Sequence, residues 1–153
     1  MSLDMYEILE IPDTSERGLQ DLFHEKGWGD GLPMIAPTRD RVEEMLSASQ
    51  DLDPDEVIAS LPPRNGVATR RIIAVNAVMA GCRPEHFPVL VSAIRALSAP
   101  EVNLRGVNAT THCVAPLLIV HGKAARDGNY NSGLGAFGPV SYTHLTLPTS
   151  YAV

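Results

Sequence analysis

Cysteine, aromatic residues and positive charge are all scarce in this chain, and each shortage excludes something. The two cysteines, Cys82 and Cys113, lie far apart and form neither a CxxC pair nor a disulfide framework. In a reducing compartment both are expected to be thiols. Twelve Lys and Arg stand against eighteen Asp and Glu, a net charge of −6, and the basic residues are scattered. That leaves no electrostatic footprint for nucleic acid. No apolar run approaches the roughly 20 residues that span a bilayer. Asp4 and Glu7 stand where a signal peptide would carry basic charge ahead of an apolar core. The chain therefore reads as cytoplasmic, with small molecules or other proteins as partners and neither nucleic acid nor membrane among them. At 153 residues it is long enough to bury one core without disulfides or metals.

The apolar spacing predicts helices early. Thr14 or Ser15 can cap a helix running to about Lys26, with Leu19, Leu22 and Phe23 on one face and Gly27 as its stop. "GWGDGLPMIAP" is too rich in glycine and proline for a regular element and predicts an ordered loop around Trp28. Thr38 caps a second helix carrying Val42, Met45 and Leu46, and Asp53 and Pro54 suggest a third, short helical turn that "LPPR" closes in extended form. From Thr69, "RIIAVNAVMAG" is apolar almost all round, as in a helix buried in a core, and Gly81 ends it. "PEHFPVLVSAIRAL" continues in helical spacing. After Pro100, "VNLRGVNATTH" reads as a strand and "PLLIVHG" as a central strand covered on both faces. The expected class is α/β or α+β, helices first and then at least two strands.

Cys82 is the first chemical candidate. Arg83 and His86 beside it favour a thiolate, whereas the negative end of the preceding helix opposes one. The commoner role for such a cysteine is packing. Cys113 follows His112, but neighbours in an extended chain point to opposite faces, so a base for it must come from elsewhere, His86 or His121. Cys82, Cys113 and His86 are the candidate catalytic residues. The five cysteines and histidines from 82 to 121 lack metal-ligand pair spacing, so no metal is expected, and the sequence names no cofactor. "GLGAFG", residues 133–138, matches G-x-G-x-x-G, but "KAARDGNYNS" separates it from the preceding strand-like run and no helix follows, so a ligand-bordering loop suits it better than a dinucleotide fingerprint. Asp30, Asn131, Ser132, Gly133 and Gly135 are the candidate substrate contacts, although an Asp in such a turn more commonly serves only to order it.

Four stretches, "GWGDGLPMIAPT", "VNAVMAGCRPEHFPVL", "GVNATTHCVAPLLIVHG" and "NSGLGAFGP", resemble an uncharacterised bacterial family associated with UGSC (seleno)proteins. The resemblance covers residues 27–139 and implies a cysteine- or selenocysteine-containing protein partner, hence thiol or redox-linked chemistry. Val140–Thr149, "VSYTHLTLPT", resembles the translation of a transposase adaptor used in sequencing libraries, and the last fourteen residues carry no Asp, Glu, Lys or Arg. Residues 1–139 are accordingly expected to be the N-terminal part of one incomplete α/β domain, and 140–153 a non-native tail. Two functional expectations follow: an enzyme acting on a small molecule through thiol or redox-linked chemistry, or a non-catalytic partner subunit or scaffold.

Overall fold

Ser15 begins the ordered architecture. In a computed structural model that describes residues 8–11, 13–29, 31–49 and 52–130, its hydroxyl accepts from the Gly18 N–H and opens helix α1, Glu16–Lys26. Gly27 ends the helix in the left-handed region at φ 64°. There its N–H donates to the His24 carbonyl and that of Trp28 to the Phe23 carbonyl, satisfying two otherwise orphaned acceptors. Phe23 is buried, with Trp28 tilted against it at 6.1 Å between ring centroids.

The glycine- and proline-rich loop that follows is held by side-chain mimicry of a backbone pair. Gln20 donates to the Met34 carbonyl and accepts from the Met34 N–H, while the Ile35 N–H reaches the Met79 carbonyl. Helix α2, Arg39–Ser47, then buries Val42 and Met45. The expected helical turn at Asp53 is a plain turn instead. Asp53 Oδ1 takes the Asp55 N–H and its carbonyl takes the Glu56 N–H, which aims the chain straight into a strand.

That strand, β1 (Val57–Leu61), pairs antiparallel with β2 (Gly66–Thr69), Leu61 facing Gly66 and Ala59 facing Ala68. The turn at 62–65 contains a cis Pro62–Pro63 bond and Asn65 at φ 56°. Thr69 ends β2 and caps helix α3, Arg70–Met79, by accepting from the Ile72 N–H. Gly81, at φ 76°, closes α3, with its N–H on the Val78 carbonyl and that of Cys82 on the Ala77 carbonyl. A 3-10 turn at Pro84–His86 leads into α4, Phe87–Leu97, where proline at the second helical position is harmless.

The core forms where α2, α3 and α4 meet the hairpin: Met45, Ala59, Ala68, Ile73, Ala77, Phe87, Leu90 and Ile94 are all buried in one cluster. An ionic clamp fastens its edge. Arg70 is only 4% exposed and places two guanidinium nitrogens on Glu56, whose other carboxylate oxygen takes Arg95, while Arg71 pairs with Asp55. The buried cation is thus paired with a carboxylate, as burial requires.

Two helices precede the two strands, and the class is α+β. The position of the strands differs from the one the sequence suggested. Residues 100–112 hold a 3-10 turn, Pro100–Val102, and a short helix α5, Leu104–Ala109. Asn103 explains the reversal: in the left-handed region at φ 49°, its side chain accepts from the Gly106 N–H and starts a helix that outweighs the strand-like alternation. Residues 113–121 form no strand among the described residues, and α6, Gly122–Asp127, follows. No helix among the described residues is long and apolar enough to cross a membrane.

Candidate functional site

Cys82 follows the end of α3, and the 3-10 turn and the stretch after α6 meet at His86. Because Gly81 turns the chain sharply, Cys82 packs back against the core cluster. Burial pushes its thiol up to about 11, so it is protonated at neutral pH. The expected help from Arg83 does not arrive, since that guanidinium points to Glu85 at 3.4 Å and is largely exposed.

His86 lies in the 3-10 turn that follows Cys82, and both its nitrogens are occupied. Nδ1 lies 3.2 Å from the backbone nitrogen of Arg83 and accepts its N–H. The ring proton therefore sits on Nε2, which donates to the Gly128 carbonyl at 2.8 Å. A histidine held in this way orders the backbone on either side; it has no free lone pair with which to deprotonate a thiol.

Tyr130 completes the cluster and was not singled out from the sequence. Its ring lies 4.9 Å from that of His86, centroid to centroid. Its hydroxyl is buried without a hydrogen-bond partner. Burial raises the phenol's pKa, and the charge of an ionised Cys82 raises it further. The one signal in the sequence was an aromatic set in the otherwise polar turn "DGNYNS".

Cys113 stands apart, exposed at the start of the extended segment, with no hydrogen-bonded base among the described residues. The described residues contain no group of three or more His, Cys, Asp or Glu placed to hold a metal. Asp30, Asn131, Ser132, Gly133 and Gly135 lie outside the described residues. On either side of position 30, Gly29 and Gly31 border a cleft of about 260 Å³, lined also by Gln20, Asp21, His24 and Met34. That is below the usual size of a pocket enclosing a drug-sized ligand, about 300 Å³ and upward.

The other outlying feature is the segment 114–120. Val114, Leu117, Leu118 and Ile119 are 52%, 71%, 48% and 75% exposed. From Ala115 to Val120 the backbone makes no hydrogen bond to any described residue. Exposed apolar side chains thus line a stretch whose backbone groups find no partner among the described residues. Comparison with protein-family models, with curated proteins and with solved structures finds no match.

Proposed function

We propose that this chain is a binding subunit that engages another polypeptide through residues 114–120, which the partner takes up as a β-strand. The observation that carries this reading is the run of exposed Leu117, Leu118 and Ile119 on a backbone unpaired among the described residues. Strand addition suits it, because main-chain hydrogen bonds supply affinity and the apolar side chains fill pockets on both sides. Each buried Leu or Ile contributes about 2 kcal/mol of transfer free energy. The resemblance to proteins associated with UGSC (seleno)proteins makes a cysteine- or selenocysteine-containing protein the partner of choice. The enzymatic reading has less support, since Cys82 is protonated and His86 has both nitrogens engaged.

The test places a photo-crosslinking amino acid at Leu117 in cells, identifies the captured protein, and reconstitutes the purified pair. Amides 117–120 are expected to become protected from hydrogen exchange in the complex, and Leu117→Asp with Ile119→Asp to abolish binding. Unprotected amides across 117–120 in a complex that forms normally would overturn the proposal.

A further inference from the structure

The tip of the β1–β2 hairpin brings two hydrogen-bond donors to one dipeptide. Asn65 is the only asparagine in the chain that is followed by glycine. It is exposed, stands in the left-handed region at φ 56°, and leads directly into β2 at Gly66. Its side-chain Oδ1 accepts from Arg105 Nη2 at 3.1 Å, and its backbone carbonyl accepts from the Ser60 hydroxyl, also at 3.1 Å. A further bond, from Asn108 Nδ2 to the Pro62 carbonyl at 2.9 Å, pins α5 to the same turn, so a helix presents Arg105 to the tip.

Both donors fall on atoms that gain charge in one reaction. The carboxamide carbon of an asparagine can be attacked by the backbone nitrogen of the next residue, and glycine hinders that attack least because it has no Cβ. Attack places negative charge on Oδ1, where the Arg105 guanidinium already donates, as a preorganised donor at a developing oxyanion does. The attacking Gly66 nitrogen must first lose its proton, and the charge it acquires is shared with the carbonyl oxygen of its own peptide unit, through the resonance that makes that unit planar. That oxygen belongs to Asn65, and the Ser60 hydroxyl donates to it. Because Asn65 is exposed, the water needed to complete the reaction is at hand.

We propose that Asn65–Gly66 is a self-modification site, converted to aspartate and isoaspartate through a cyclic imide whose closure Arg105 and Ser60 promote. The Gly66 nitrogen gives its proton to water and bonds to Asn65 Cγ. The Cγ–Nδ2 bond then breaks, and Nδ2, taking a proton from water, leaves as ammonia. Water next adds to one of the two imide carbonyls: opening at Cγ gives aspartate, and opening at the main-chain carbonyl gives isoaspartate. Ammonia is exchanged for water, and nothing is oxidised or reduced. Either product sets a carboxylate beside Arg105, and the isoaspartate form also inserts a methylene into the main chain next to the Leu61–Gly66 pair. The proposal is independent of the binding reading above.

The test incubates the full chain at mildly alkaline pH beside a synthetic peptide of residues 57–69. Conversion of Asn65 is followed by peptide mass spectrometry, with aspartate and isoaspartate separated by chromatography. Asn65 is expected to convert about tenfold faster in the folded protein than in the peptide, in keeping with two donors placed on developing charge. Asn103 and Asn108, followed by Leu104 and Ala109, should stay unconverted over the same interval. Arg105→Met, which keeps the aliphatic stem and loses the guanidinium, and Ser60→Ala should each slow the folded protein about threefold. Arg105→Lys, which returns a cation without the planar fork, should recover part of the Arg105→Met loss. Hydrogen exchange across α3 and α4 reports whether the core survives, and the comparison with the peptide decides the matter even where a variant fails to fold. Conversion in the folded protein no faster than in the peptide, or an unchanged rate in either Arg105→Met or Ser60→Ala with an intact core, would overturn the proposal.

Discussion

At the scale of the residue, Cys82 shows how a neighbour in sequence differs from a neighbour in energy. Arg83 and His86 flank it in a pattern that promises a thiolate, yet one turns to Glu85 and the other spends its lone pair on a backbone N–H. What remains is desolvation, which raises the thiol from 9.0 to about 11. The unfolded chain therefore releases its Cys82 proton first and binds fewer protons than the folded chain between those values. Stability is complete below about pH 9 and falls as the pH rises through about 11. Tyr130, raised in the same direction, adds to the loss at the alkaline end. Urea unfolding at pH 8 and about pH 10.5 should show the drop in the unaltered protein and a shallower one in Cys82→Ala. An identical pH slope in the two proteins would mean that Cys82 is not desolvated by folding.

At the scale of the element, helix boundaries were the most legible part of the sequence. Ser15, Thr69, Gly27 and Gly81 stand where a capping hydroxyl and a left-handed glycine belong, and the structure uses each of them so. These signals are local, requiring only a side chain and the backbone within four residues of it. The hairpin was illegible for the opposite reason. "VIASL" and "GVAT" are short and joined by "PPRN", whose two prolines mask the Asn65–Gly66 pair at its end, and their burial comes from packing against helices distant in sequence. Legibility of a cap is also not the same as its use. Thr38 occupies the cap position of α2 but makes no side-chain bond, whereas Thr69 accepts from the Ile72 N–H and is buried. Thr69→Ala should consequently cost about 1 to 2 kcal/mol and Thr38→Ala less than about 0.5. Chemical denaturation of the two variants side by side measures the difference, and equal losses would show that the Thr69 bond contributes nothing.

At the scale of the whole molecule, the segment 113–121 shows where reading a sequence stops. "PLLIV" is apolar on both faces, which suits a strand with layers above and below, but a strand is defined by the ladder it joins. The two-stranded sheet, β1 with β2, is built elsewhere, and the segment lies extended with its side chains in water. No property of the residues themselves could have told a paired strand from an unpaired one, because the pairing is supplied by other backbone. An exposed apolar strand-like run is also a liability, since it can pair with its own kind. The unaltered protein is therefore expected to self-associate as its concentration rises, and Leu117→Asp with Ile119→Asp to remain monomeric over the same range, as sedimentation velocity would report. Since neither side chain is packed in the core, the double variant should keep its urea midpoint, with a stability change within about 0.5 kcal/mol. A large loss of stability would place these residues inside the fold instead of on its binding face, and would remove the basis for reading them as a surface kept open for a partner.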